Sequence, residues 1–303
     1  MTEKKLKLFT AGIALLLSFI LIAGCTGTGD APPAGQTPTD ATPTQQQSLG
    51  DVKIGYVLWD SEIASTNVLK QIYKKAGYDV ELVAVDAGPL YQAVADGNLD
   101  LTISAWLPAT QASYWEKYGD SIDLVGHNLD GAKIGLVVPA YVTIDSIEEM
   151  NSVADKFGNT ITGIEPGAGI MSNTDDAIEE YGLDYTILSS SSAGMAAELS
   201  KAVKDEKWIV VTGWTPHWKF ARFDLKYLKD PKGVYGGEEF IGSLARTGLK
   251  EDKPGVYAIL ERFYWDASDM ESIMYDVESG MPVEEAATKW IDNNPEKVAE
   301  IIG

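Results

Sequence analysis

A chain of 303 residues, 45% of them hydrophobic, can bury a sizeable core and can hold two domains. Its formal net charge of −21 argues against binding to nucleic-acid backbones or to anionic membrane surfaces. Because the chain has a single cysteine, an intramolecular disulfide is excluded.

The first 24 residues are typical of a secretory signal peptide. Lys4, Lys5 and Lys7 form a basic head, and an almost unbroken apolar run follows from residue 11 to residue 23. A membrane-spanning helix needs about 20 apolar residues, so the alternative of a transmembrane anchor is disfavoured. We therefore expect residues 1–24 to be removed.

The lone Cys25 follows Leu-Ile-Ala-Gly, which resembles the lipobox of prokaryotic lipoproteins. The resemblance implies cleavage after Gly24 and lipidation of Cys25, whose acyl chains anchor by burying methylene groups at about 0.8 kcal/mol each. Residues 26–50 are rich in Thr, Pro, Gly and Gln and nearly lack large apolar side chains, a composition that forms no core. Residues 25–50 are therefore predicted to tether a folded body to the extracytoplasmic face of the cell membrane.

From Asp51 onward, predicted strands and helices alternate, which is typical of α/β layers with mostly parallel sheets. Apolar β-rich runs predict the strands, and apolar residues at helical spacing predict the helices. The predicted strands are 52–59, 80–85, 99–106, 122–125, 134–138, 160–164, 185–188 and 208–212. The predicted helices are 66–76, 88–95, 111–118, 147–157, 172–181 and 193–203, followed by three more after about residue 254.

This rhythm is interrupted near Pro139 and again near Gly236 and Gly237. We therefore predict two α/β lobes joined by at least two crossings. The first comprises residues 51–139 and the second 140–237. Residues 238–303 hold the return crossing and the C-terminal helices, which the sequence does not assign to a lobe.

Signatures of catalysis and of metal binding are missing from the sequence. There are two histidines and no second cysteine, so a His/Cys zinc site would have to depend on carboxylates. No Gly-x-Ser-x-Gly elbow, P-loop or Gly-x-Gly-x-x-Gly turn occurs. We expect no enzyme, cofactor or metal. The alternative from another class is a secreted lipoprotein hydrolase that uses a carboxylate pair, although no pair stands out.

Three of the eight tryptophans lie at or just past the ends of predicted strands, namely Trp59, Trp106 and Trp214. Ligands of open parallel sheets bind outside the carboxyl ends of the strands. Core packing is the alternative interpretation of these residues. Several indole faces around one cleft suit a quaternary ammonium, at about 1–2 kcal/mol for each desolvated ring. A micromolar site needs about 8 kcal/mol, so a second anchor is expected.

A glycine-rich turn, Glu-Pro-Gly-Ala-Gly-Ile-Met-Ser at residues 165–172, joins a predicted strand to a predicted helix. Free N–H groups at a helix start attract anions, and Gly169 and Ile170 are the candidate donors. A cation cage beside an anion site would suit a zwitterion.

Four motifs together resemble the glycine betaine-binding proteins of osmoprotectant ABC importers, a likeness that extends over most of residues 51–303. They are Ile-Gly-Tyr-Val-Leu-Trp-Asp-Ser-Glu-Ile-Ala-Ser (54–65), Ser-Ala-Trp-Leu-Pro (104–108), Gly-Ala-Gly-Ile-Met (167–171) and Gly-Trp-Thr-Pro-His-Trp (213–218). The resemblance implies a two-lobed fold like that of periplasmic binding proteins, with the ligand cleft between the lobes. It also implies a monomer that closes on its ligand and docks on a permease.

The same resemblance implies that Trp59, Trp106 and Trp214 box the trimethylammonium group, while main-chain amides of Gly169 and Ile170 hold the carboxylate. Some relatives add a histidine five residues after the middle tryptophan, where this chain has Gln111. An amide can donate a hydrogen bond to the ligand but carries no positive charge. Proline betaine, carnitine and choline therefore remain alternative ligands, and a sensory receptor remains an alternative partner.

Overall fold

The computed structural model describes residues 48–303. The predicted signal peptide, Cys25 and nearly all of the predicted tether lie outside the described residues. Among residues 48–303, no helix is both long enough and apolar enough to cross a membrane.

Nine strands within residues 48–303 form one hydrogen-bonded sheet, eight of them in the order β2-β1-β3-β9-β4-β7-β5-β6, with β8 paired to β4 outside this path. β1 is parallel to β2 and β3, and β5 is parallel to β6 and β7, whereas β9 runs antiparallel to both of its neighbours. The strands are β1 (Asp51–Tyr56), β2 (Asp79–Ala84), β3 (Leu101–Leu107), β4 (Ile122–Pro139), β5 (Thr160–Thr162), β6 (Thr186–Leu188), β7 (Val211–Thr215), β8 (Leu225–Tyr227) and β9 (Glu239–Arg246).

The strands fall into two groups that share β4: the first holds β1, β2, β3 and β9, and the second holds β5, β6, β7 and β8. Helices flank both groups. The segment predicted to be helical at 147–157 is a 3-10 helix, and another short 3-10 helix spans Gly119–Ser121. The α-helices are α1 (Asp60–Ala76), α2 (Ala87–Ala95), α3 (Ala112–Tyr118), α4 (Gly169–Tyr181), α5 (Ser192–Lys204), α6 (Lys219–Arg222), α7 (Leu249–Asp252), α8 (Pro254–Arg262), α9 (Ala267–Glu278), α10 (Val283–Asn293) and α11 (Pro295–Ile302).

Strand β4 belongs to both groups of strands. Its residues 122–132 pair with β9, and its residues 133–139 pair with β7 and β8. The sequence predicted two separate strands here, because the polar stretch 126–133 interrupts the apolar pattern. The strand continues through that stretch by means of three register shifts against β9, which are typical of bulges.

Helix α1 begins at Asp60, six residues before the predicted start at Thr66. Its first turn is polar yet buried, so hydrophobic spacing did not reveal it. Asp60 and Glu62 put negative charge at the positive end of the helix dipole, and Gly77 ends the helix in the left-handed region at φ +101°. The early start places Trp59 at the N-cap and carries these acidic side chains toward the cleft.

The C-terminal helices pack on the first group of strands. Helices α9, α10 and α11 contact α1, and α8 contacts β4 and β9. The sequence left this assignment open and predicted three helices after residue 254, whereas the structure has four. Pro295 starts the fourth, because a proline has no N–H to donate to the preceding helix but fits a first helical turn.

Candidate binding site

The three tryptophans at the strand ends line a single cleft between the two groups of strands. Trp59 follows β1, Trp106 is the penultimate residue of β3 and Trp214 is the penultimate residue of β7; all three are buried. Ile134 and Ile164 complete the apolar wall. The space between these side chains is narrow and apolar, which suits a small solute.

The N-terminus of α4 forms another wall of the same cleft, lined by Ala168, Gly169 and Ile170. The sequence predicted this helix from Ser172, but it begins at Gly169, so Gly169 and Ile170 occupy its first two positions. Ala168 at the N-cap provides no side-chain hydrogen bond. N–H groups in a first helical turn have no acceptor within the helix, and the dipole there is positive. This wall is therefore suited to an anionic group.

Only glycine fits at position 169, because the backbone of Thr110 approaches it closely across the cleft. A Cβ atom on Gly169 would lie 1.8 Å from the carbonyl oxygen of Thr110 and 2.7 Å from its carbonyl carbon. Thr110 also lines the cleft, in the turn after β3. The two halves of the molecule thus meet backbone to backbone beside the tryptophans.

Gln111 is fully buried, and it lies behind Trp106 instead of lining the cleft. Its Oε1 accepts hydrogen bonds of 2.9 Å from the Trp106 backbone N–H and from the Tyr91 hydroxyl. These bonds fix the backbone of a cage residue. A direct contact between Gln111 and a ligand stays a prediction.

Each cage tryptophan is also held by a charged or ionisable side chain that the sequence analysis did not identify. The indole N–H of Trp106 donates to Glu62 at 2.9 Å, and that of Trp59 donates to Glu165. Glu62 and Glu165 lie 44 and 106 residues from the tryptophans they hold, so spacing along the chain gave no signal for either pairing.

Lys219 supports the third tryptophan from behind. Its amine lies 4.2 Å from the centroid of the Trp214 ring and donates to the Trp214 carbonyl oxygen at 3.3 Å. Lys219 is fully buried, and burial lowers its pKa well below the usual value although the nearby Asp60 acts in the opposite direction. Burial of an ammonium disfavours the charged form.

Asp60 joins α1 to the second group of strands. Its carboxylate accepts hydrogen bonds from the Ser192 hydroxyl at 2.7 Å and the Trp218 indole N–H at 3.1 Å, and His217 Nε2 lies 3.5 Å away. Burial acts to raise the pKa of Asp60, but the interactions with His217, Ser192 and Trp218 outweigh it and hold that pKa below its usual value. The backbone N–H of Lys219 donates to His217 Nδ1, which places the imidazole proton on Nε2, facing Asp60.

The buried imidazole makes stability depend on pH. Burial lowers the pKa of His217 to about 4, the nearby Lys219 acts in the same direction, and Asp60 opposes them. Between about pH 6.5 and pH 4 the unfolded chain binds a proton at His217 that the folded protein does not, so the contribution of His217 to stability falls as pH falls, by on the order of 3 kcal/mol. The contribution of Asp60 is lost only below about pH 4, where an unfolded aspartate protonates.

We expect His217→Gln to remove this contribution and to make the slope of the free energy of unfolding against pH less positive in this window, because the opposite contribution of Glu62, whose pKa burial raises to about 7, remains. The measurement is urea denaturation at pH 4.5, 5.5, 6.5 and 7.5. The control is His127→Gln, since the His127 side chain is 46% exposed. A slope that is equal in His217→Gln and the unaltered protein would refute this assignment.

Comparison with solved structures identifies the class of protein. The chain superposes on lactococcal OpuAC in its closed-liganded conformation complexed with glycine betaine, with a TM-score of 0.81 and 45% identity over 84% of this chain and 100% of that one. It matches ProX of Borrelia burgdorferi, a glycine/betaine/L-proline-binding protein, with a TM-score of 0.81 and 38% identity over 84% and 97% of the two chains. The fold and the cleft therefore define a two-lobed substrate-binding protein of an ABC importer, which confirms the predicted fold class.

The family follows from the sequence match. Residues 50–293 match the substrate-binding domain of ABC-type glycine betaine transport systems, and the chain belongs to this family. A further relative, the glycine betaine/carnitine transport binding protein GbuC of Listeria monocytogenes, is 50% identical over 161 residues. That alignment covers 52% of this chain and 54% of GbuC, about half of each length. As a member of this family, the protein acts outside the cytoplasm together with a permease.

Proposed function

We propose that this protein captures glycine betaine, or a closely related quaternary-ammonium zwitterion, for uptake during osmotic stress. One observation carries the proposal: three tryptophans and the uncapped N-terminus of α4 line one small cleft. The indole faces would surround the trimethylammonium group, and the N–H groups of Gly169 and Ile170 would hold the carboxylate.

Binding would proceed by closure of the two lobes over the solute. Trp59, Trp106 and Thr110 come from one side of the cleft, and Gly169 and Trp214 come from the other. A ligand that contacts both sides stabilises the closed form, because each side alone supplies only part of the site. The closed form would then dock on the permease, and no covalent bond is made or broken.

Isothermal titration of the purified protein with glycine betaine, proline betaine, carnitine and choline tests this function. We expect saturable binding of a betaine and weaker binding of choline, because choline has no carboxylate for the α4 N-terminus. The name of GbuC includes carnitine, so the carnitine titration also ranks that alternative. If a sample folded by circular dichroism gave no heat with any of the four at two temperatures, the function would have to be sought elsewhere.

We further propose that the mature protein is anchored through lipidated Cys25, since a lone cysteine follows an apolar leader and precedes a core-free tether. Intact-mass measurement of protein extracted from membranes should find an N-terminal acylated Cys25. An unmodified cysteine, or a retained leader, would contradict the anchor.

A further inference from the structure

Glu62 is a buried carboxyl group directly behind the cage. It lies in the first turn of α1 with no exposed surface, and its Oε1 accepts the Trp106 indole N–H at 2.9 Å. The Ser65 hydroxyl lies 3.4 Å from its other oxygen. Within residues 48–303, no basic side chain forms an ion pair with Glu62. A buried carboxylate without a cation is costly, so its retention needs an explanation.

Glu62 has no positively charged partner within the described residues. The quaternary ammonium group of a ligand in the cage would supply that positive charge. A carboxylate that accepts an indole N–H makes the indole ring more negative, and a cation over the ring face is attracted to that potential. In the protein interior this attraction is weakly screened. Glu165 makes the same bond to Trp59, but Glu165 is only half-buried, so water reduces its effect.

We propose that Glu62 is a positioning and specificity-determining residue. Through the indole N–H of Trp106, its carboxylate fixes the orientation of the ring and biases the cage toward a cation over an uncharged group of the same shape. This inference rests on the proposed function and deepens it, since it names the group that makes the cage select charge.

A dependence of affinity on pH follows. Burial raises the pKa of Glu62 to about 7, with the hydrogen bond from Trp106 acting in the opposite direction. A bound cation favours the ionised carboxylate, so binding expels the Glu62 proton to solvent and the affinity increases as pH rises from about 6 to about 8. The groups facing the carboxyl are Ser61, Ser65, Ser104 and Trp106, none of which titrates there. Other ionisable groups near the cleft are Asp60, Glu165, His217, Lys219 and Glu239, the last of which accepts hydrogen bonds from the cleft-lining Thr110.

The test compares glycine betaine with 3,3-dimethylbutanoate, an isostere whose tert-butyl group is uncharged, by isothermal titration of the purified protein and Glu62→Gln at pH 6, 7 and 8. Glutamine keeps an oxygen that can accept the Trp106 N–H but removes the charge. We expect Glu62→Gln to weaken betaine binding about tenfold at pH 8 and to abolish its pH dependence. Binding of the isostere should not weaken.

Two controls separate this role from a structural one. Glu165→Gln, the matched change at Trp59, should cause a smaller loss and keep the pH profile of the unaltered protein. Glu62→Gln should melt no lower than the unaltered protein at pH 8, because it removes a buried charge.

The inference is overturned if Glu62→Gln binds betaine as tightly as the unaltered protein at pH 8, or if it loses both ligands equally. It is also overturned if the pH dependence persists in that variant, which would place the titrating group elsewhere, at Lys219 for example. If the unaltered protein binds neither ligand at any pH, the proposed function itself fails.

Discussion

Replacement of Trp106 by alanine should weaken the capture of glycine betaine by about 5- to 30-fold. The substitution removes one indole face of the cage, worth about 1–2 kcal/mol for a desolvated cation. It also removes the indole N–H that holds Glu62, but the free and the liganded variant share that loss, so it lowers stability and not affinity. The lost ring face therefore sets the expected decrease in affinity, which is measured by isothermal titration.

Trp106 is also part of the core, so its loss must be separated from unfolding. A buried aromatic replaced by alanine destabilises a protein by about 3–5 kcal/mol, and the titration must therefore be run well below the melting temperature of the variant. Trp106→Phe keeps an aromatic face and should retain partial binding. The matched control is Trp208→Ala, since Trp208 packs on Phe157 away from the cleft. A Trp106→Ala variant that binds within about threefold of the unaltered protein would refute the cage.

Gly169→Ala should prevent closure while leaving the unliganded protein folded. Its Cβ would lie 1.8 Å from the Thr110 carbonyl oxygen, and because that oxygen belongs to the backbone and a Cβ position is fixed by its own backbone, no side-chain rotation relieves the clash. Only a separation of the two lobes does so, which also separates the tryptophans from the α4 N-terminus. We expect the affinity for glycine betaine to fall at least about 100-fold, and the melting temperature without ligand to stay unchanged or rise, since alanine favours helix over glycine.

The control for this substitution lies at the other end of the same helix. Gly182 ends α4 in the left-handed region at φ +59°, and no atom lies within 4 Å of the position that a Cβ would take there. Gly182→Ala should therefore destabilise the protein by about 1 kcal/mol through backbone strain and leave the affinity unchanged. Equal affinities of Gly169→Ala and the unaltered protein would show that the close approach does not accompany binding.

The sequence predicted the alternating α/β architecture because most strands are short apolar runs bounded by glycines or helices. Trp59, Trp106 and Trp214 could be placed at strand ends for the same reason, and the structure brings them to one cleft. The sequence did not predict β9, whose pairing partners β3 and β4 lie more than 100 residues earlier in the chain. Pairing over such separations leaves no local signal in a segment that contains glycine and serine.

The polar supports of the cage could not be predicted either. Asp60 and Glu62 follow Trp59 closely and resemble a solvated acidic stretch, yet both face the interior of the fold. The partners of Asp60 are Ser192 and Trp218, more than 130 residues away, and the partner of Glu62 is Trp106, 44 residues away. Hydrophobic spacing identifies apolar faces of helices, but it does not identify a polar face that is buried because its partners arrive from a distant part of the chain.

The continuous strand β4 limits how the two halves can move relative to each other. Two bodies joined by a slack loop keep all six rigid-body degrees of freedom, whereas a strand paired on both sides of the junction resists stretching and sliding. What remains is mainly rotation, concentrated between residues 124 and 132, where the register against β9 shifts three times. The two halves therefore close by the same rotation each time. Every solute molecule that enters the cleft meets the same two surfaces in the same alignment.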